Sequence, residues 1–277
     1  MDKLFQDVSY QTSRLVTKSY SSSFYIGVSS LDSSIQDAIF SIYGFVRFAD
    51  EIVDTFHEFN KEKLLSDFEL QYYEAIEVGI SLNPILNAFQ QTVRKYKITD
   101  DLVQAFLKSM KSDLHKTNFT ELEIKEYIYG SADVVGLMCI KVFVNGIDDE
   151  YEKLKPYAMR LGSAFQKINF LRDLKHDTSE LHRTYFPILK TQSFNESTKK
   201  IILDDIFEDY RFALVGINQL PNNSRMGVYT AFLYYKSLTK RIQKTKAEQL
   251  LQKRISVPNY IKTILLFRAY LYSKFYK

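Results

Sequence analysis

Apolar residues recur along the chain with a period near 3.6, and no stretch shows the strict alternation of a strand, so the pattern predicts helices throughout. Thr120-Glu121-Leu122-Glu123 reads as a capping box that opens a long helix through about Val144. Pro84 and Pro258 suit helix starts, where a missing N–H costs nothing, while Gly146 and Pro187 mark breaks. About eight to ten helices of ordinary size fill the length. No linker rich in Pro, Gly or Ser separates the apolar blocks, so residues 1–277 read as a single all-α domain.

Two helices carry charge where the pattern predicts burial. In the helix over residues 36–56, Tyr43, Arg47, Asp50 and Asp54 follow i, i+4, i+7, i+11 spacing and form one stripe. Ile39, Ile42, Phe45, Val46, Ala49, Ile52 and Val53 flank it. Burying charge is costly unless it is paired or bound to metal, so this stripe is expected to face an internal cavity. The stretch GSAFQKINFLRDLKHD, residues 162–177, repeats the design. Leu161, Ala164, Phe165, Ile168 and Leu171 form its core stripe, and Gln166, Asn169, Asp173 and Asp177 line up on another face. Carboxylates four residues apart on a helix project about 40° from each other and can share a cation.

Spacing alone is a weak signal. Eighteen Asp among 277 residues produce about one Asp-x-x-x-Asp by chance. A third match, Asp205 and Asp209, lies in an acidic run just after Lys199 and Lys200 and reads as a solvated helix face. The other two pairs differ in having apolar flanks, polar residues in register and an adjacent arginine.

Oxygen ligands without His or Cys select a hard ion such as Mg²⁺, or Mn²⁺ in its place. Carboxylates alone would repel a diphosphate, since one like-charge pair 4 Å apart costs about 4 kcal/mol at an effective dielectric of 20. Arg47, Arg172 and Arg183 can complete a clamp on phosphate oxygens. Apolar and aromatic walls around such a site suit a long hydrocarbon tail.

Composition removes other classes. The chain is 45% hydrophobic and 15% aromatic, ample for one large core. A lone Cys139 excludes intrachain disulfides and multi-Cys metal sites, and suits a reducing cytoplasm. No signal-peptide core or membrane-spanning run is visible, and the formal charge of +4 comes without a nucleic-acid groove. The tail LLFRAYLYSKFYK could lie peripherally on the inner membrane surface, although a packed terminal helix with a solvated basic face is the better reading. His57, His115 and His182 lack metal-ligand spacing, the serines near residues 19–34 lack a nucleophile elbow, and no glycine-rich phosphate loop appears. The oligomeric state is left open.

SYSSSF (19–24), RFADEIVD (47–54), YIYGSADVVGLM (127–138), GSAFQKINFLRDLKHD (162–177) and HRTYFP (182–187) resemble, in order and spacing, the signatures of squalene and phytoene synthases. The resemblance implies an isoprenoid-synthase helical bundle with a central cavity. It assigns metal binding to Asp50, Asp54, Asp173 and Asp177, with Asn169 assisting. It assigns diphosphate binding to Ser21, Ser23, Arg47, Arg172, Arg183 and Tyr185, and substrate contact to Phe24. Tyr127 and Gln166 would line the chamber, the resemblance counts Tyr127 and Arg47 with the four aspartates as catalytic, and Tyr235 is a weaker assignment. Asp133 stands where a small residue is usual and His176 where an acid is common, and either could alter metal number or cavity shape.

The implied chemistry is head-to-head condensation of two prenyl diphosphates through a cyclopropylcarbinyl diphosphate. Phytoene formation from two geranylgeranyl diphosphates is favoured, which ends by proton loss and needs no NADPH. A squalene or dehydrosqualene-type synthase using farnesyl diphosphate is the alternative, and a non-catalytic assembly factor of the same fold is the rival from another class. With the aspartates committed to metal, diphosphate is the expected base for the last proton.

Overall fold

The computed structural model describes residues 3–179 and 183–275. Its helices are α1 (Lys3–Tyr20), α2 (Ser22–Ser29), α3 (Ser33–Asp54), α4 (Lys61–Val78), α5 (Pro84–Tyr96), α6 (Asp100–Asp113), α7 (Glu121–Ile128) and α8 (Val134–Phe143). There follow α9 (Asp148–Arg172), α10 (Leu174–Ser179), α11 (Glu196–Gln219), α12 (Asn222–Lys244), α13 (Ala247–Leu250) and α14 (Asn259–Phe275). Among the described residues no β-strand occurs, only an isolated bridge between Asn118 and Thr184. Among the described residues fourteen α-helical segments replace the expected eight to ten, because one-turn pieces such as α13 are too short to show a period.

The capping box forms as expected: the Glu123 N–H donates to the Thr120 hydroxyl, and the Thr120 N–H donates to the Glu123 carboxylate at 2.7 Å. Pro84 opens α5, Pro258 immediately precedes α14, and Gly146 takes a left-handed φ of 71° just past α8. The expected long helix to Val144 is interrupted by a π turn over Tyr129–Asp133. This turn is wedged tightly. A Cβ on Gly130 would lie 2.5 Å from the Ala105 carbonyl of α6, and one on Gly162 of α9 would lie 2.9 Å from the Ala132 carbonyl, so only glycine fits either contact.

Helix α3 is clamped on one face and functional on the other. The fully buried Phe45 ring stacks on Phe89 at 4.0 Å and packs against Phe68, Tyr72 and Phe106. The opposite face carries the Tyr43, Arg47, Asp50, Asp54 stripe. The second motif departs from a continuous helix: α9 ends at Arg172, Asp173 caps it with φ −99° and ψ 9°, and Asp177 lies on the separate α10. Helix α14 packs Leu265 and Ala269 inward. Its outer face carries Arg268 and Lys274, as expected of a packed terminal helix with a solvated basic face, and also exposes Tyr260, Ile264, Phe267, Leu271 and Phe275.

Two expectations need correction here. Asp209 is fully buried, not solvated. It shares the inward register of Ile202, Ile206 and Ala213, and α11 packs that register onto α9. It accepts from Arg160 at 2.8 Å and from Lys167 at 2.7 Å, whereas Asp205 remains 57% exposed. Lys199 is also buried and donates to the Thr245 carbonyl at 2.6 Å. Asp133 does not shape the cavity: its carboxylate points to α9 and accepts from the Ser163 hydroxyl at 2.9 Å.

Removing one partner of a buried ion pair leaves the others uncompensated. Asp209→Asn is therefore expected to lower stability by about 3 kcal/mol or more in chemical denaturation, and Asp205→Asn to leave it unchanged. Equal stability of the two variants would refute the assignment of Asp209.

Candidate active site

One cavity of about 810 Å³ runs between α2, α3, the π turn, α9 and α12, near the upper end of the size range for small-molecule sites. Tyr43, Arg47, Asp50 and Asp54 reach it from α3, and Gln166, Asn169 and Arg172 from the end of α9. Asp173 and Asp177 also line it, although the helix breaks at Asp173. Ser21, Phe24, Tyr127, Tyr185 and Tyr235 complete the expected set on the wall. Lys175, His176 and Arg254 are exposed and mark the mouth near the aspartates, while Val28, Leu31, Ile217 and Leu220 line apolar depth.

Ser21 caps α2, accepting from the Phe24 N–H at 3.3 Å. From there Phe24, Gly27, Val28 and Leu31 follow helical spacing along the wall. Ser23 falls outside that stripe and is not brought to the cavity, since it is turned about 100° from Phe24 on the helix. Arg183 also departs from expectation. It sits behind the wall, 6% exposed, and donates to Asp54 Oδ1 at 3.1 Å, to the Tyr185 hydroxyl at 3.3 Å and to the Asp113 carbonyl at 2.7 Å. It ties α3 to α6 in this arrangement instead of presenting a clamp. His57 and His115 are exposed, and His182 lies outside the described residues.

The aspartates meet protein cations. Arg47 bonds both Asp50 and Glu51, and its ring-face partner is Tyr20 at 4.4 Å. Arg172 and Arg254 both hold Asp173, the latter at 2.7 Å. Burial, with the Asp54 charge second, pushes the Asp50 carboxyl up to about 7. Burial, then the charges of Asp173 and Asp54, raises Asp177 to about 7 as well. The two motifs therefore feel each other across the cavity. At Asp173 burial pushes upward too, but the bonds and charge of Arg172 and Arg254 outweigh it and hold the carboxyl below its ordinary range.

Arg47 Nε, Ser131 Oγ and Asp113 Oδ1 are buried without a hydrogen-bond partner, and all three residues line the cavity. Asp113, Ser131 and Arg254 were not anticipated from sequence. Asp113 had a readable signal, because it continues the Phe106 and Met110 register of α6 and is 7% exposed. Among the described residues no three His, Cys, Asp or Glu side chains converge on one point. The donor set still fits a hard divalent cation: four carboxylates and the Asn169 amide face one space, and burial, then the charge of neighbouring carboxylates, raises two of the carboxyls.

The squalene/phytoene synthase family model matches residues 17–260. The chain belongs to this family. The synthase is 24% identical to a phytoene synthase of Arthrospira platensis, over 93% of this chain and 91% of the relative. It is 28% identical to a 4,4'-diapophytoene synthase of Staphylococcus haemolyticus, over 72% and 68%. A solved dehydrosqualene synthase bearing a ligand shares its fold, with a TM-score of 0.83 at 20% identity, covering 97% of this chain and 98% of that one. The synthase is a prenyltransferase that joins prenyl diphosphates head to head. Among the described residues no helix is long and apolar enough to cross a membrane.

Asp50, Asp113, Asp133 and Asp177 are each raised to about 7 by burial, against an ordinary value of 3.8. Between those limits the folded synthase keeps protons that the unfolded chain has released, so its metal-free stability falls as pH rises from about 4 to 7. The melting temperature in chelator is expected to drop between pH 5 and pH 8, and Asp50→Asn and Asp177→Asn are expected to be more stable than wild type at pH 8. A melting temperature that climbs over this range would contradict the electrostatics.

Proposed function

We propose that the synthase converts two geranylgeranyl diphosphates to phytoene through a cyclopropylcarbinyl diphosphate, with residues 1–277 acting as one catalytic domain. The observation that carries this reading is the convergence of four carboxylates with Arg47, Arg172 and Arg254 on a cavity of about 810 Å³ whose remaining wall is mostly apolar and aromatic. Asp50, Asp54, Asn169, Asp173 and Asp177 would hold Mg²⁺ or Mn²⁺. When bound, such an ion neutralises diphosphate charge and weakens the allylic C–O bond.

The chain's own groups do the rest. Arg47 Nε, buried and unpartnered, is free to donate to a diphosphate oxygen, and Arg172 flanks the same space. Ser21 and the first N–H groups of α2 add donors at a helix N-terminus, where anions are favoured. Two stacked aromatic pairs stand near the two motifs, Phe24 on Tyr43 at 4.7 Å and Phe165 on Tyr235 at 3.8 Å. Their faces stabilise a passing allylic cation and exclude the water that would capture it. The Tyr235 hydroxyl donates to Asn169 Oδ1 at 3.3 Å and orients that amide.

The C20 substrate is supported by the likeness to a phytoene synthase over nearly the whole of both chains. A second reading, with farnesyl diphosphate, is favoured by the likeness to the diapophytoene synthase. Retention of all four aspartates argues against a non-catalytic assembly factor.

With C15 and C20 prenyl diphosphates supplied at equal concentration, Mg²⁺ present and NADPH absent, mass spectrometry is expected to find mainly a C40 hydrocarbon with a central triene. Labelled NADPH is expected to leave rate and product unchanged. A dominant C30 product would select the second reading, and label in the hydrocarbon would overturn the proton-loss ending.

A further inference from the structure

Helix α9 carries the cavity wall far from the aspartates. Tyr157 lies sixteen residues before Asp173, about 24 Å away along the helix axis at 1.5 Å per residue. There it lines the distal, apolar end of the cavity with Leu154 and with Ala213, Gly216 and Ile217 of α11. Tyr157 also lines a second space, a surface pocket of about 380 Å³ whose other walls are Glu208, Arg211, Phe212 and Val215. Those four residues share one face of α11 at i, i+3, i+4, i+7 spacing. At this point a single side chain divides the reaction cavity from the surface. Tyr157 is seated on bare Gly216, where a Cβ would lie 2.2 Å from its Cβ and 2.7 Å from its Cγ. Pro156, just before it, has no N–H, so α9 lacks the backbone bond to the Glu152 carbonyl. Outside, Phe212 and Val215 are 49% and 47% exposed, so apolar surface continues from the cavity to the exterior.

We propose that Tyr157 is a gate and that the pocket beyond it is the exit site for the apolar product. Leaving by the other end would draw a hydrocarbon past Asp50, Asp54, Asp173, Asp177 and their arginines, stripping water from charges that gain no partner in return. Leaving past Tyr157 keeps the chain against Leu154 and Ile217 and then against Phe212 and Val215, so apolar surface passes from one apolar wall to the next. Rotation of the Tyr157 ring opens the passage, because Gly216 presents no side chain in its path, and the missing bond at Pro156 loosens the backbone that carries the ring. With the gate closed, the ring keeps bulk water from the distal end of the chamber, where it would capture a carbocation. The inference rests on the hydrocarbon-forming reading proposed above and holds for a C30 or a C40 product.

A removable plug tests the gate. Val215→Cys places a thiol on the outer pocket, while burial pushes the native Cys139 thiol up to about 12, so a methanethiosulfonate reagent bearing a bulky aromatic group modifies the introduced cysteine selectively. With prenyl diphosphate in excess and Mg²⁺ present, the plugged enzyme is expected to form one equivalent of hydrocarbon at the unmodified rate. It is then expected to turn over at least about tenfold more slowly, and to recover when a thiol reductant removes the plug. The same label at Val78→Cys, exposed on α4, is expected to leave turnover unchanged. Phe212→Cys opens onto the same pocket and carries the test if Val215→Cys does not fold. Independently, Tyr157→Ala, loaded with labelled hydrocarbon in a single turnover and mixed with lipid vesicles, is expected to pass the label on about tenfold faster than wild type. Unchanged steady-state turnover in fully labelled enzyme would overturn the gate, and so would a wild-type transfer rate from Tyr157→Ala. Failure of the unmodified synthase to make any hydrocarbon would instead overturn the reading on which the gate rests.

Discussion

Mutual repulsion among carboxylates that face one poorly solvated space is the constraint on which the rest of this structure depends. At an effective dielectric of 20, each like-charge contact at 4 Å costs about 4 kcal/mol, so the pairs on α3 and at the α9 to α10 junction demand positive charge. The protein answers with Arg47, Arg172, Arg183 and Arg254, each bonded to an aspartate of one pair. Asp50 and Asp177 nevertheless keep raised carboxyls. A site so short of cations is prepared to take up a metal and an anionic substrate together.

Holding this arrangement requires rigid support behind it. The Phe45 cluster fixes α3 on the side away from the aspartates, and the Arg160, Lys167 and Asp209 network fixes α9 against α11. Lys167 lies between Gln166 and Asn169 in sequence yet points to α11, so α9 separates its cavity face from its anchoring face within one turn. The site's strain is thus offset by ordinary packing elsewhere, as expected where function and stability compete.

The Tyr43, Arg47, Asp50, Asp54 stripe was fully legible, because helical periodicity maps spacing directly onto a face. The same rule explains Gln166, Asn169 and Asp173. It could not foresee that α9 ends at Arg172, since local backbone geometry at Asp173 leaves the periodic pattern unchanged. Asp209 was misread because its charged neighbours outweighed its register with Ile206 and Ala213, and Asp113 was missed for a related reason at the end of α6. The placements of Ser23, Arg183 and Arg254 depend on tertiary contacts that spacing along one helix does not encode.

Calorimetric titration of inorganic diphosphate into the synthase, with Mg²⁺ and then with excess EDTA, tests the central claim most directly. Carboxylate repulsion predicts clear binding with Mg²⁺ and at least about a hundredfold weaker binding without it, equivalent to about 2.7 kcal/mol. Equal affinity in EDTA would show that the arginines alone accommodate diphosphate, and that repulsion among the aspartates does not govern this site.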